Sequence, residues 1–340
     1  MGDLLKELCF IPGVSGCENL ICKYVYDKLL NFANGSIKND NTVVAVISPS
    51  ESTEPQKHIL FDAHIDQIGL IVTAINKDGF IKFDTCGGFD PKILYGSSVV
   101  VHGTDDFKGV ICSIPPHLKR DKEKAPDIDD MFIDLGMPLE KVKEKISLGD
   151  RISFENKFYE LLNGNIASPA TDDRAGVYVL IKLAEKLSRE TLNTKVTILL
   201  SSREEVGRMG VATATYKIMP DEAVSIDVSF AKQPGVSSDR HCVLGKGPMI
   251  CIAPSLSSNI SKFLIETAKK ASIPYQLEVY GEMSGTNADV INITRGGIPC
   301  GLVSIPQRYM HTGIEIVNYN DLENIVKLLF NYAKQGGAQQ

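Results

Sequence analysis

The sequence has no paired cysteine motif, no excess of positive charge and no long apolar run. Its eight cysteines occur without a Cys-x-x-Cys pair, and most stand among apolar residues, so we expect buried free thiols in a reducing cytoplasm. The formal net charge of −6 gives no long-range attraction for nucleic acid or an anionic membrane. No run reaches the roughly 18 apolar residues of a membrane span, and the first ten residues do not resemble a secretion signal. We therefore expect neither secretion nor membrane insertion.

The chain alternates strand and helix patterns, with one stretch of a different texture inside it. Strands and helices alternate from Thr171 to the C-terminal end, which is typical of an α/β domain. From about Gly69 to Ile166, short β-type runs are separated by glycine turns, which favours a small β-barrel. The sequence predicts an α/β domain made of residues 1–66 and 167–340, with a barrel of residues 67–166 inserted into it.

Residues with metal-binding or acid–base side chains follow several of the predicted buried strands. They are His64, Asp172, Glu204, Glu205, Asp227 and His311. Open α/β sheets bind ligands at the carboxyl ends of their strands, so we expect these side chains to lie together. Two cations about 3.5 to 4 Å apart can share one carboxylate while each takes an imidazole and a further carboxylate. The pattern therefore indicates a metal-dependent hydrolase.

The residue types also indicate the chemistry of this site. Oxygen and nitrogen donors without thiolate suit Zn²⁺, Co²⁺ or Mn²⁺. A carboxylate that binds no metal must take the proton of the activated water and pass it to the leaving amine, and the adjacent Glu204 and Glu205 could divide these tasks. His64 and Asp66 share one face of an extended segment, so Asp66 could accept the imidazole N–H that faces away from the metal.

Each of these residues, taken alone, has a simpler structural explanation. A buried histidine is usually hydrogen-bonded within a core, adjacent glutamates usually form a solvated face, and aspartates before a helix usually cap it. Their occurrence together favours a metal site, because buried carboxylates clustered without cations would repel one another.

Several blocks along the chain carry a resemblance to one known family. They are His64-Ile65-Asp66-x-Ile68-Gly69, Asp172–Gly176, Glu204–Gly207, Gly285–Ala288 and Arg308–His311, with Pro12–Glu18, Gly87–Pro91 and Gly296–Pro299 in support. In this order they resemble the signature blocks of the dinuclear-metal aminopeptidases, the family of the glutamyl, deblocking and tetrahedral aminopeptidases. The resemblance covers almost the whole chain.

The resemblance implies a zinc-peptidase-like mixed sheet flanked by helices, with an inserted PDZ-like barrel that mediates dimerisation. It implies removal of the N-terminal residue of peptides by a metal-activated water, and dodecamers built from dimers. It also implies a cis peptide between Asp172 and Asp173. By this resemblance, Asp172 would bridge two metals, of which His64 and Asp227 would bind one and Glu205 and His311 the other. Glu204 would act as general base, and Asp66 would support His64.

The chain departs from the family pattern at a few positions. Gln67 stands where glutamate is usual, Asn287 where aspartate is usual, Arg203 where glutamine is common and Met209 where arginine is common. Asn287 lies in a stretch that lines the substrate pocket in relatives, so its amide is expected to alter selectivity more than hydrolysis. Three alternatives stay open: a metal-dependent deacylase or amidase, a metal-free glycosidase, and a non-catalytic peptide-binding assembly protein.

Overall fold

The structure is a computed structural model that describes residues 3–37, 40–47, 57–115, 117, 127–237 and 242–338. The helices are α1 (Asp3–Phe10), α2 (Asn19–Leu29), α3 (Pro91–Leu94), α4 (Leu139–Lys145), α5 (Thr171–Leu187), α6 (Met209–Ile218), α7 (Ser258–Lys270), α8 (Asn287–Ile293) and α9 (Tyr319–Lys334). The strands are β1 (Asn34–Ile37), β2 (Val43–Ile47), β3 (His58–His64), β4 (Gly69–Ile75), β5 (Ile81–Cys86), β6 (Ser98–His102), β7 (Asp106–Ser113), β8 (Met131–Asp134), β9 (Arg151–Phe154), β10 (Tyr159–Glu160), β11 (Asn165–Ser168), β12 (Lys195–Ser201), β13 (Glu222–Phe230), β14 (Met249–Ile252), β15 (Gln276–Val279), β16 (Cys300–Gln307) and β17 (Glu315–Asn318). In the described part of the chain, no helix is long and apolar enough to cross a membrane.

An eight-stranded mixed sheet, in the order β1-β2-β12-β3-β13-β16-β14-β15, forms the larger part of the molecule. Its central strands β12, β3, β13 and β16 run parallel to one another. β3 is buried along its whole length because helices cover both faces of the sheet. Phe61 packs edge-on against Tyr332 of α9 on one face of the sheet. Its neighbour Leu60 points to the opposite face, where it packs in a core with residues of α6 and α8. The predicted sheet flanked by helices is confirmed.

Strands β4 to β9 close into an antiparallel barrel in the order β4-β5-β8-β7-β6-β9. Alternate side chains point inward, as Val99 and Val101 of β6 do, and fill a core separate from that of the sheet. The predicted β-barrel is confirmed. Its strands lie between Gly69 and Phe154, and the following β11 pairs with β17. The limits of the insertion at residues 67 and 166 stay a prediction.

The chain enters the barrel through a close contact at Gly69. A Cβ atom there would lie 2.4 Å from a methyl group of Val14 and 2.7 Å from the carbonyl oxygen of Ile152. Val14, in the loop between α1 and α2, also pairs with Gln67 in an isolated bridge. Glycine therefore allows this loop to lie directly against the first residue of the barrel, five residues after His64 at the end of β3.

Candidate metal centre

The predicted site residues come from elements that meet at one edge of the large sheet. β3 ends in His64, β13 carries Asp227, the turn after β12 holds Glu204 and Glu205, α5 carries Asp172 near its start, and the loop after β16 holds His311. β12, β3, β13 and β16 are neighbouring parallel strands, so their carboxyl ends lie side by side. The structure therefore brings these side chains to one edge of the sheet.

The carboxylate of Asp172 lies between two histidines. Its Oδ1 atom is 3.0 Å from Nε2 of His64, and its Oδ2 atom is 3.3 Å from Nε2 of His311. Each imidazole also faces a second carboxylate: His64 Nε2 is 3.8 Å from Oδ1 of Asp227, and His311 Nε2 is 3.3 Å from Oε2 of Glu205. The side chains thus form two groups that share Asp172: the first contains His64 and Asp227, and the second contains His311 and Glu205.

The donor atoms of this cluster fit divalent cations. Ligand atoms of His64, Asp172 and Glu205 lie within 4.8 Å of one another, and those of His64, Asp173 and Asp227 do the same. Oε1 of Glu205 and Oδ2 of Asp173 are buried and have no hydrogen-bond partner among the described residues. Unpaired buried carboxylate oxygens are costly, and a bound cation would pair them. Sequence reasoning gave Asp173 no site role, although its place beside Asp172 was a signal. The peptide between these two aspartates is cis, as the resemblance predicted.

The electrostatics of the cluster follow from its burial and its crowding. Burial raises the pKa of Glu205 to about 7, and burial followed by the nearby Asp172 raises the pKa of Asp227 well above its usual value. Burial alone would also raise the pKa of Asp172, but hydrogen bonds with His311 and His64 outweigh it and lower that pKa. Burial would lower the pKa of His311, but its bonds with Asp172 and Glu205 raise it to about 11. Such a set of groups attracts positive charge, as a cation site requires.

Asp66 is fully buried behind the first imidazole. Its carboxylate accepts hydrogen bonds from the hydroxyl of Ser15 at 2.6 Å and from the backbone nitrogens of Glu204 and Glu205 at 2.9 and 3.3 Å. Nδ1 of His64 lies 3.2 Å from the carbonyl oxygen of Asp66 and 3.5 Å from its Oδ1 atom. Asp66 thus contacts both the imidazole of His64 and the turn that carries the two glutamates.

Glu204 lies next to the cluster and, among the described residues, is in neither of the two sets that could hold a cation, His64–Asp172–Glu205 and His64–Asp173–Asp227. Its side chain is 11% exposed, and its Oε1 atom accepts a hydrogen bond from Nε of Arg208 at 3.0 Å. Nη2 of Arg208 donates in turn to the carbonyl oxygen of Gly285 at 2.6 Å. A carboxylate beside a cation site and outside its ligand groups is suited to take and return protons.

Asn287 lies at the start of α8 and is buried. Its Nδ2 atom donates to Oδ2 of Asp62 at 2.9 Å and to the hydroxyl of Ser201 at 2.8 Å. Asp62 precedes His64 by two residues on β3, so Asn287 belongs to a polar network just below the strand ends. The role of Asn287 in a substrate pocket stays a prediction.

Gln67 contacts the buried guanidinium of Arg174. Its Oε1 atom accepts from Nη2 of Arg174 at 3.2 Å, and the other described acceptors of this guanidinium are the carbonyl oxygens of Leu8 and Ile11. Burial lowers the pKa of Arg174 to about 10. The charge of Arg174 is therefore bonded to neutral groups within the described residues.

Glu315 is a buried residue of the site that sequence reasoning missed. Its Oε2 atom accepts from the backbone nitrogen of Asp172 at 3.0 Å and the hydroxyl of Thr171 at 3.1 Å, and its Oε1 atom accepts from the backbone nitrogen of His311 at 3.1 Å. One carboxylate thus joins the backbones of two candidate ligands. The available signal was a glutamate four residues after His311, at the start of β17.

The barrel covers one side of the cluster through two glycines. A Cβ atom at Gly87 would lie 3.3 Å from Oε2 of Glu205, and one at Gly88 would lie 3.3 Å from Nδ1 of His311. Gly87 also has a φ of +94°, which larger residues rarely adopt. The absence of side chains at Gly87 and Gly88 therefore lets the barrel approach the second group closely.

Comparison with known proteins gives one family over most of the chain. A family model described as M42 glutamyl aminopeptidase matches residues 42–328. The lysyl aminopeptidase of Pyrococcus furiosus is 32% identical over 332 residues, which cover 96% of this chain and 94% of that protein.

Solved structures of aminopeptidases share the whole fold. An aminopeptidase from the archaeon Desulfurococcus kamchatkensis superposes with a TM-score of 0.91 at 33% identity, covering 98% of this chain and 94% of the other. The TET1 peptidase of Pyrococcus horikoshii, which can assemble into a tetrahedron or a large octahedral shell, superposes with a TM-score of 0.87 at 30% identity, covering 97% and 98%. The chain belongs to the M42 glutamyl aminopeptidase family and is a metal-dependent aminopeptidase.

Proposed function

We propose that this aminopeptidase holds two divalent cations at the edge of its large sheet. His64 and Asp227 would bind one, Glu205 and His311 the other, and Asp172 both. The observation that carries this assignment is the position of Asp172, whose two oxygens face two different imidazoles at 3.0 and 3.3 Å. The ligand atoms of the proposed site are nitrogen and oxygen without thiolate sulfur, which suits Zn²⁺, Co²⁺ or Mn²⁺.

Bound cations would polarise the scissile carbonyl and lower the pKa of a water to roughly 7. Glu204 would accept a proton from that water at its carboxylate and donate it to the nitrogen of the departing amine. Asp66 would hold His64 in place and fix the backbone of Glu204 through their 2.9 Å hydrogen bond. The two glycines of the barrel, Gly87 and Gly88, would cover the site on the side of His311.

We also propose self-association and a cytoplasmic location. The related TET1 peptidase of Pyrococcus horikoshii assembles into a tetrahedron or an octahedral shell, which favours a homo-oligomer here, and a dodecamer built from barrel-mediated dimers is our specific expectation. All eight cysteines are free thiols, and six of them are buried, which favours a reducing compartment. Light scattering coupled to gel filtration tests the assembly, and a mass of one chain would refute it.

The function is tested with aminoacyl-p-nitroanilides of Glu, Leu, Lys and Ala, with and without EDTA and after addition of Co²⁺ or Zn²⁺. We expect cleavage that EDTA abolishes and the metal restores, and the four rates would rank the preferred N-terminal residue. A parallel series of N-acylated substrates serves as control. Cleavage of the acylated series alone would favour the deacylase alternative.

A further inference from the structure

Arg208 contacts the candidate base Glu204 through both its backbone and its side chain. Its backbone nitrogen donates to the carbonyl oxygen of Glu204 at 3.0 Å, and its Nε atom donates to Oε1 of the same residue at 3.0 Å. Within the described ranges, Arg208 is the side chain that hydrogen-bonds the Glu204 carboxylate. The orientation of that carboxylate therefore depends on where the guanidinium is held.

The far end of the guanidinium is fixed by the loop before α8. Nη2 of Arg208 donates to the carbonyl oxygen of Gly285 at 2.6 Å. The loop is itself bonded at this point, because the buried carboxylate of Asp289 accepts from the backbone nitrogens of Ser284 at 3.1 Å and Gly285 at 2.8 Å. The planar fork of Arg208 thus connects a fixed carbonyl to the Glu204 carboxylate.

The backbone at Arg208 adopts a conformation that is uncommon for its residue type. Its φ of +58° lies in the left-handed region, at the residue before α6. This conformation ends the turn that contains Glu204 and Glu205. It directs the Arg208 side chain back toward the carboxylate of Glu204. The other arginine of the turn, Arg203, instead points its Nη2 atom toward the carbonyl oxygen of Asp40 at 3.3 Å.

We propose that Arg208 is a positioning residue of the aminopeptidase reaction, which sets the direction of the Glu204 carboxylate by connecting it to Gly285. This inference rests on the proposed role of Glu204 as general base. Arg208 occupies one carboxylate oxygen of Glu204 and leaves the other for the proton of the attacking water. Since a misplacement of about 1 Å at a catalytic group can cost about 100-fold in rate, loss of this connection would lower kcat.

The test compares Arg208→Gln with Arg203→Gln, a matched change in the same turn. We expect Arg208→Gln to lower kcat by about 10- to 100-fold with KM within about threefold of wild type, at unchanged metal content. Arg208→Lys keeps the charge but not the fork, so its kcat should lie between those of the wild type and Arg208→Gln. Arg203→Gln should keep the wild-type kcat. An unchanged kcat in Arg208→Gln, or an equal loss in Arg203→Gln, would overturn the proposal.

A double-mutant cycle tests whether Arg208 acts through Glu204. In a Glu204→Asp background, where the shortened carboxylate no longer meets the guanidinium, adding Arg208→Gln should change kcat by less than about twofold. The same 10- to 100-fold loss in both backgrounds would contradict the positioning role. An inactive wild type, or a Glu204→Gln variant with normal turnover, would instead refute the proposed function itself.

Discussion

Nε2 of His311 lies 3.3 Å from Oδ2 of Asp172. The contact brings a loop that follows the last parallel strand to the first turn of α5, two segments separated by more than a hundred residues in sequence. The other oxygen of Asp172 faces His64, so one carboxylate belongs to both halves of the cluster.

The first prediction concerns Glu204, which lies outside both sets of described residues that could hold a cation. Glu204→Gln replaces the carboxylate with a neutral amide of the same size, which does not accept a proton at neutral pH. We expect kcat to fall by about 1,000-fold or more, with metal content unchanged. Steady-state kinetics and metal analysis of the same preparation check this. Glu266→Gln, at an exposed position of α7, is the control and should keep full activity, whereas near-normal turnover in Glu204→Gln would exclude Glu204 as the base.

A second prediction concerns the barrel residue Gly88. A Cβ atom there would lie 3.3 Å from Nδ1 of His311, so Gly88→Ala must push the imidazole or the barrel loop aside. We expect kcat/KM to fall by about tenfold, because the ring that faces Asp172 would shift. Gly296→Ala is the matched control, since a Cβ atom at Gly296 would have no described atom within 4 Å. Equal activities of the two variants would show that the barrel does not constrain His311.

A third prediction concerns Gln67, the described side-chain partner of the buried Arg174. Gln67→Glu places a carboxylate against the guanidinium, and we expect the free energy of unfolding to rise by about 1 to 2 kcal/mol. Urea unfolding at neutral pH measures this. A lower stability would mean that repulsion from the neighbouring buried Asp66 exceeds the attraction to Arg174.

Sequence reasoning reached the fold and most of the candidate cluster for identifiable physical reasons. Buried parallel strands are apolar runs that end in polar residues, so the position of His64 at the end of β3 follows from pattern alone. Residues that act through long-range contacts are different. The bond from Glu315 to the backbone of Asp172 joins positions 143 residues apart, and no local pattern indicates it.

The backbone conformation and contacts of single residues could not be predicted from the sequence either. Arg208 reaches Glu204 because its backbone is left-handed, which arginine rarely adopts. The family resemblance predicts a pocket role for Asn287, whereas its hydrogen bonds with Asp62 and Ser201 depend on how α8 packs against the sheet. Such features come from tertiary packing, which the spacing of residue types does not encode.

A fourth prediction concerns the pH dependence of stability. Burial, followed by the nearby charge of Lys195, lowers the pKa of His58 from 6.5 to about 4, and its Nε2 atom bonds the hydroxyl of Thr197. The unfolded chain therefore binds a proton near pH 6.5 that the folded chain resists until about pH 4. Stability should fall as the pH decreases through this window, by about 1 to 2 kcal/mol between pH 7.5 and 5 for this residue.

Urea unfolding of the wild type and His58→Gln at pH 7.5 and 5 isolates this effect, because every other titrating group is common to both proteins. The loss of stability on acidification should be smaller in His58→Gln by the amount that His58 contributes. Equal losses in the two proteins would show that the imidazole is not held neutral in the fold.

The central claim, that Asp172 is shared by two cations, is tested most directly by metal analysis. Purified wild type and Asp172→Ala are dialysed against the same Zn²⁺ or Co²⁺ buffer, and unbound metal ions are then removed. The bound metal per chain is measured, and circular dichroism checks that both proteins are folded. We predict two equivalents in the wild type and near-complete loss of both in the folded Asp172→Ala variant. Two retained equivalents in that variant would contradict the bridging role of Asp172.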